Sequence, residues 1–381
     1  MNNSLDTPVY PVGNALLSLA DLLGYFCNLE HFQRGMSRYS DIHLKVGQPV
    51  TFRYDGDIQP LNEGALLTAE MIRSLLLPML REEQWCRLQS ETLSDLDASW
   101  HWPEKNLCFR LNVFTDRDGV AAVVRALASE IPPIDQIGFP DESVWQDICR
   151  LQSGLVLLTG NTGSGKSTTI ASLISYINGH RPVRILSLED PIEYVFKSKS
   201  ALISQRELGR HISSFSSGLR SALREDPDII LVGEMRDRET ILLALTAAET
   251  GHLVFSTLHT RDCQGAITRI IDMFPGERTK EVATQLSMSL SYVICQKLVA
   301  SLEGGRTVAM EILKNTTSVS NIIRTNSLHQ IPTVLETQSK DGMITLESHL
   351  RILVETGVIS VVEAMDSAND PDALQRRLAR K

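Results

Sequence analysis

A glycine-rich segment in the middle of the chain could bind the phosphates of a nucleotide. Residues 160–167 read GNTGSGKS, which fits the pattern GxxxxGK[ST]. The apolar run GLVLLT precedes this segment, and residues that favour a helix follow it from Ile170. Strand, loop and helix in that order are the context that the motif requires. The residues predicted to contact the nucleotide are Gly160, Asn161, Thr162, Gly163, Ser164, Gly165, Lys166, Ser167 and Thr168.

The residue types in this loop have separate roles in phosphate binding. The glycines let the backbone curl so that successive N–H groups point at phosphate oxygens, and the following helix adds partial positive charge at its N-terminus. Lys166 can reach the β- and γ-phosphates, and the Ser167 hydroxyl can coordinate Mg²⁺. An accidental glycine-rich turn would not be expected to have both flanking elements, so we predict a site for ATP and Mg²⁺.

Two carboxylates at the ends of apolar runs could complete a hydrolytic site. Glu234 follows the run DIILVG, and Glu189 follows the run ILSL. A Mg²⁺-nucleotide site needs carboxylates to hold the metal's water shell and to orient an attacking water. We predict that Glu189 activates the water and that Glu234, with Ser167, lies at the metal. Gly233 stands where many P-loop enzymes carry aspartate. The alternative for either acid is an ordinary solvated carboxylate.

Two histidines bracket a fourth apolar run, GHLVFSTLHT at 251–260. Either His252 or His259 could form a hydrogen bond with the γ-phosphate or a metal-bound water from the end of an adjacent strand. A structural role is the alternative for each ring. Both are therefore candidate catalytic residues.

The apolar runs predict a doubly wound α/β domain with a mostly parallel sheet over residues 141–381. From about residue 280 onward the pattern predicts mostly helix. The predicted strands are 154–159, 183–188, 228–232 and 252–257.

A smaller α+β domain is predicted at residues 15–128, and a Pro- and Gly-rich linker at 129–140. Residues 1–14 carry no periodic pattern and are predicted to be loose. In the small domain the predicted helices are 15–33 and 68–90, and the predicted strands are 41–46, 50–54, 107–114 and 120–127.

Net charge, hydropathy and cysteine spacing argue against several classes of protein. The formal net charge of −9 argues against a nucleic-acid partner, which needs a basic surface. No apolar run approaches the roughly 18 residues of a spanning helix, and the polar start does not fit a secretory signal, so a cytoplasmic location is expected. The six cysteines contain no CxxC pair, which argues against a zinc site.

Taken together, four motifs resemble those of the secretion ATPase superfamily, and most closely those of the pilus-retraction ATPases of type IV pili. The resemblance runs from about Ser40 to about Asp372. It rests on the glycine-rich loop at 160–167, the acidic segment LEDPIE, the run ALREDPDIILVGEMRD and the histidine segment that ends in LHT. In this superfamily a glycine usually precedes the acid that corresponds to Glu234, which accounts for Gly233.

The resemblance implies a RecA-like ATPase domain preceded by a PAS-like domain. It also implies a homohexamer in which ATP lies between the amino-terminal domain of one subunit and the ATPase domain of the next. Arg110 and Arg125 match the family's phosphate-facing arginines, whereas Asp118 stands at a third arginine position. An arginine supplied by a moving domain would stabilise the transition-state charge and couple hydrolysis to motion.

The predicted function is a hexameric motor for pilus retraction, recruited to the inner membrane by a platform protein. The lack of CxxC pairs favours this branch, because pilus-extension and type II secretion relatives commonly carry them. The alternatives are a type IV secretion or conjugation ATPase, a pilus-assembly ATPase, a nucleotide-gated platform with negligible turnover, and a nucleic-acid motor.

A late segment resembles a helical motif of retraction ATPases but lacks two of its charges. Residues 318–325 read SVSNIIRT, and the apolar positions Val319, Ile322 and Ile323 have the spacing of a buried helix face. Ser320 and Thr325 stand where the family motif has charged residues.

Overall fold

The computed structural model describes residues 4–26, 32–33, 36–37, 39–54, 57–89, 95–102, 104–105, 107–127, 130–276 and 278–379. The backbone contacts divide the chain into two compact units, Met1–Glu130 with Glu193–Val195, and Ile131–Ile192 with Phe196–Lys381.

The first unit is an α+β structure around an antiparallel sheet of six strands, in the order β7-β6-β5-β10-β9-β8. Its helices are Leu19–Phe26 (α1), Ala69–Leu76 (α2) and Glu82–Gln89 (α3). Its strands are Pro8–Val12 (β1), Ala15–Ser18 (β2), Phe32–Gln33 (β3), Met36–Ser37 (β4), Tyr39–Leu44 (β5), Thr51–Tyr54 (β6), Asp57–Pro60 (β7), Asp95–Trp102 (β8), Leu107–Asp116 (β9) and Gly119–Leu127 (β10).

The amino-terminal segment is more ordered than its sequence predicts. Strand β1 pairs with β2, so the prediction that residues 1–14 are loose is wrong for Pro8–Val12. Tyr10 is fully buried there, donates to the Ala65 carbonyl and accepts from the Val50 N–H. One buried aromatic with both hydrogen bonds satisfied anchors a segment too short to show a period.

Two helix predictions in this unit were too long. The helix expected at 15–33 covers only Leu19–Phe26, because residues 15–18 pair in β2 instead; residues 27–31 lie outside the described part of the chain. The helix expected at 68–90 is two helices with a break that contains Pro78. Proline has no N–H to donate and its ring clashes with the preceding turn, so the first helix ends there.

The second unit is built on a sheet of seven strands in the order β13-β12-β14-β15-β11-β16-β17. All neighbouring strands in it are parallel except β16 and β17. The strands are Gly154–Thr159 (β11), Arg184–Glu189 (β12), Leu202–Glu207 (β13), Ile229–Val232 (β14), Leu253–Leu258 (β15), Leu290–Ala300 (β16) and Arg306–Lys314 (β17).

Helices lie along both faces of this sheet. Two buried clusters pack against it, one containing residues of α6 to α11 and the other residues of α4 and α5. The helices are Glu142–Arg150 (α4), Lys166–His180 (α5), Phe215–Ala222 (α6), Arg238–Glu249 (α7), Cys263–Asp272 (α8), Arg278–Ser289 (α9), Thr317–Arg324 (α10), Ile331–Thr337 (α11), Leu346–Glu355 (α12), Val361–Ser367 (α13) and Pro371–Ala379 (α14).

The four predicted parallel strands are confirmed, with bounds within one residue, and the doubly wound α/β class with them. The prediction of mostly helix after residue 280 is wrong for β16 and β17, which form a long antiparallel hairpin at one side of the sheet. Val319, Ile322 and Ile323 are buried on α10, as their spacing predicts. In the described part of the chain, no helix is long and apolar enough to cross a membrane.

Candidate nucleotide site

The loop at 160–167 lies at the carboxyl edge of the parallel sheet, between β11 and α5. Strands β12, β14 and β15 end at the same edge, so the segments that follow them are brought together with the loop. This edge is where open α/β sheets bind ligands. The site can therefore be built from the ends of four strands.

Three glycines of the loop have positive φ, and two of them, Gly160 and Gly165, also lie close to β16. Gly160 and Gly165 have φ angles of 137° and 88°, which side chains rarely adopt. A Cβ on Gly160 would lie 2.3 Å from the Gln296 carbonyl oxygen. Gly165 also caps the N-terminus of α5. The glycines thus let the loop fold tightly against β16 while its N–H groups remain able to bind an anion.

Lys166 is buried, and its ammonium group closes the loop. Nζ donates to the carbonyls of Gly160 and Asn161 at 2.9 and 3.0 Å. These bonds place the ammonium group at the loop, where it can form charge-assisted hydrogen bonds with a bound phosphate. Ser167 is exposed at the first turn of α5, as a hydroxyl that coordinates a metal must be.

A hydroxyl pair joins the start of the loop to the segment after β15. Thr159 Oγ1 accepts from the Thr260 N–H at 2.9 Å, and the two threonine hydroxyl oxygens are 2.6 Å apart. These contacts fix the segment that carries His259 to the end of β11. Thr260 is the last residue of the histidine segment, but no role is predicted for it from sequence.

Glu189 ends β12 with its carboxylate held in place. Oε1 accepts from Ser187 Oγ at 2.6 Å and from Gln205 Nε2 at 3.0 Å. These two donors orient the carboxylate. Gln205 lies on β13, a strand that was not predicted, so sequence reasoning missed this partner.

Glu234 follows β14 and lies in a network of charged groups. Oε2 is 2.7 Å from Arg236 Nε, and Oε1 is 3.6 Å from His259 Nε2. Gly233, which precedes it, packs closely on β12, because a Cβ there would lie 3.1 Å from the Leu188 carbonyl oxygen. The structure therefore brings Glu234 and His259 together at this edge.

His259 is held in its neutral form. Burial lowers its pKa, and the nearby positive charges of Lys166, Arg236 and Arg269 lower it further against the opposing effect of Glu234. At neutral pH the ring therefore has one N–H donor and one acceptor.

His252 does not reach the loop within its own chain. It precedes β15, whose six residues span about 20 Å, and so lies at the opposite edge of the sheet. Its Nδ1 is 3.0 Å from the Ala247 carbonyl oxygen, at the end of α7. This contact closes the turn between helix and strand, which is a structural role.

The two histidines should therefore respond differently to alanine substitution. We expect His259→Ala to reduce ATP turnover by roughly 10-fold or more, because a polar group at the reacting edge is lost. His252→Ala should leave turnover within about twofold and lower the free energy of unfolding by about 1 kcal/mol. Steady-state kinetics and thermal unfolding of both variants check this. Equal losses of turnover would contradict the placement.

The two candidate arginines lie side by side in the first unit. Arg110 on β9 and Arg125 on β10 are paired across the antiparallel ladder, and both are exposed. Arg125 Nε donates to the buried Asp41 at 2.7 Å. Burial opposes ionisation of Asp41, but hydrogen bonds from Arg125 and Ser40 outweigh it and lower its pKa. An ionised carboxylate thus orients one of two adjacent guanidinium groups.

The residues at the sheet edge fit Mg²⁺ bound together with phosphate. Within the described ranges, no three His, Cys, Asp or Glu side chains form a cluster that could hold a metal ion alone. Mg²⁺ is typically bound through one or two carboxylates plus substrate phosphates. Ser167 and Glu234 are the groups here with that chemistry.

Comparison with known proteins gives consistent matches over most of the chain. The family described as "Type II/IV secretion system protein" matches residues 36–365. The type IV pilus retractation ATPase PilT of Pseudomonas aeruginosa is 43% identical over 333 residues, covering 87% of this chain and 95% of that protein. A twitching motility protein of Neisseria gonorrhoeae is 43% identical, covering 84% of this chain and 85% of that protein. The solved structure of the pilus retraction motor PilT with bound ADP matches at 41% identity and a TM-score of 0.83, covering 94% of this chain and 98% of that one.

Proposed function

This chain belongs to the type II/IV secretion system protein family as a RecA-like P-loop ATPase, and we propose that it powers the retraction of type IV pili. The observation that carries the proposal is the 43% identity to a pilus retractation ATPase over 95% of that protein's length. The charged groups at the carboxyl edge of the second unit supply the chemistry.

In this proposal the loop at 160–167 holds the phosphates of ATP, and Lys166 balances their charge. Bound Mg²⁺ would neutralise further phosphate charge, held by the Ser167 hydroxyl and the Glu234 carboxylate. Glu189 accepts the proton of the attacking water, and the hydrogen bonds from Ser187 and Gln205 hold its carboxylate in position. Neutral His259 can donate a hydrogen bond to the oxygen where charge develops.

We infer that the motor is a homohexamer and that Arg110 and Arg125 act on ATP bound to a neighbouring subunit. Two observations support this inference. Both arginines are exposed and are cross-strand partners on β9 and β10, and Asp41 orients Arg125. Guanidinium groups from a second subunit would stabilise the transition-state charge and make hydrolysis depend on domain motion. A platform protein of the inner membrane would receive that motion.

Substitution of either arginine should reduce turnover without weakening nucleotide binding. We expect Arg110→Ala and Arg125→Ala to lower ATP turnover by about 10²-fold with the affinity for ADP unchanged, because the guanidinium interacts with developing charge. The matched control is Arg117→Ala, whose side chain is 95% exposed in the same unit and is assigned no role at the site.

Mixing variants tests whether the arginines act between subunits. A mixture of Arg125→Ala and Lys166→Ala chains should be more active than either alone, because some interfaces then combine an intact loop with an intact arginine. A mixture no more active than its parts would place the arginine's action within its own chain.

Deletion of the gene in its host tests the direction of the motor. Loss of a retraction motor should leave cells with more or longer pili, since assembly continues unopposed. Loss of an assembly motor would instead leave fewer pili, and loss of a secretion or conjugation ATPase would block transfer. Either of those results would overturn the retraction proposal while leaving the ATPase intact.

A further inference from the structure

A buried glutamine on β16 contacts the phosphate-binding loop from behind. Gln296 is fully buried, and its Nε2 donates to the Ser164 carbonyl at 2.6 Å. It follows Cys295, which pairs with Thr159 at the end of β11. The side chain therefore lies where the loop leaves the sheet.

The loop packs tightly around this residue. A Cβ on Gly160 would lie 2.3 Å from the Gln296 carbonyl oxygen, and a Cβ on Gly165 would lie 3.0 Å from Gln296 Nε2. One residue of β16 thus lies against three positions of the loop, and it is hydrogen-bonded to one of them, Ser164. The position of that residue is fixed in turn by the strand ladder.

The hydrogen bond to Ser164 determines where the next N–H of the loop points. The Ser164 carbonyl and the Gly165 N–H belong to one planar trans peptide, so they point in opposite directions. Because the carbonyl is held toward Gln296, the Gly165 N–H is turned away from β16, toward the side open for phosphate.

The polar atoms around this contact argue against a role in core stability alone. Gln296 Oε1 and Ser164 Oγ are buried and have no hydrogen-bond partner among the described residues. An unpaired buried polar atom is destabilising, and an apolar side chain of the same length would avoid that cost at Oε1. Compared with such an apolar side chain, the Gln296 amide adds one interaction, the hydrogen bond from Nε2 to the loop.

We propose that Gln296 is a positioning residue for ATP, which orients the peptide between Ser164 and Gly165 so that the loop's N–H groups face the phosphates. The inference rests on nucleotide binding at this loop, as proposed above. It assigns a binding role to a residue outside the glycine-rich motif.

The test uses the full chain and the substitution Gln296→Met, which keeps the side-chain length and removes the donor. We expect the KM for ATP and the Kd for ADP to rise about 10-fold, with kcat within about twofold, because Gln296 touches no reacting atom. The matched control is Met310→Leu, the cross-strand neighbour of Gln296, which is equally buried. That control should leave both constants unchanged.

A second variant keeps the test decisive if the first is poorly folded. Gln296→Glu sets a carboxylate oxygen against the Ser164 carbonyl, so its loss of ADP affinity should exceed that of Gln296→Met. Unchanged KM and Kd in Gln296→Met with a lowered melting temperature would overturn the inference, as would equal losses in Met310→Leu. Failure of the unsubstituted chain to bind ATP would instead overturn the proposed function itself.

Discussion

Lys166→Ala is expected to reduce ATP turnover by about 10³-fold or more. Its Nζ donates to two carbonyls of its own loop, those of Gly160 and Asn161. Among the groups described at the sheet edge it is the cation that the motif directs at the β- and γ-phosphates. Its removal should therefore eliminate catalysis while the sheet and its two packed faces remain folded.

The matched control for this prediction is Lys280→Ala, an exposed lysine on α9. It should retain full turnover. Circular dichroism would establish that both variants are folded, and a coupled assay would measure ATP hydrolysis. If Lys166→Ala hydrolysed ATP about as fast as the unsubstituted chain, the assignment of this loop as the ATP site would be wrong.

Glu189→Gln is expected to reduce turnover by about 10²-fold or more with ATP binding largely intact. The amide is isosteric with the carboxylate and can still accept from Ser187 and Gln205, so the local geometry should survive. What is lost is the ability to take a proton from water. Glu249→Gln, on the last turn of α7 at the other edge of the sheet, is the control and should be unaffected.

Glu234→Gln distinguishes the roles of the two acids. If Glu234 lies at the metal, its substitution should weaken Mg²⁺-dependent nucleotide binding as well as turnover. We would measure turnover and the affinity for ATP with and without Mg²⁺ in both variants. These measurements show which acid lies at the metal and which activates water. The reverse pattern would mean that Glu234 activates water and Glu189 supports the metal.

The parallel strands could be predicted from sequence because each is a short apolar run between helical patterns. Strands β16 and β17 were missed because an apolar run after a helix is compatible with either helix or strand. A signal was nevertheless present. Gly304 and Gly305, both with positive φ, form the turn between the two strands, and a glycine pair between apolar runs favours a hairpin.

The candidate site also contains residues that could be predicted from sequence and residues that could not. The loop, Glu189, Glu234 and His259 stand in contiguous motifs, so the sequence identifies them without knowledge of the fold. The residues that hydrogen-bond to them lie outside these motifs. Gln205 and Gln296 are on other strands, and only strand pairing brings them to the site. His252 and His259 stand in one motif, but β15 lies between them, so they are at opposite edges of the sheet.

Helix α10 has uncharged residues at two positions where the motif of the retraction ATPases has charged ones. Its apolar face is buried, and Ser320 bonds to the Ser287 carbonyl at 2.6 Å, where a charged residue would need a different partner. Thr325 bonds back to the Asn321 carbonyl. Both replacements are satisfied within this chain, so the helix is held in place without the two charges.

Observation of single labelled pili in the deletion host tests the central claim most directly. Expression of the unsubstituted chain should restore retraction events, because ATP hydrolysis at the sheet edge drives them. The Lys166→Ala chain, expressed at the same level, should restore none. Retraction by cells that carry only Lys166→Ala, or continued absence of retraction with the unsubstituted chain, would contradict the account.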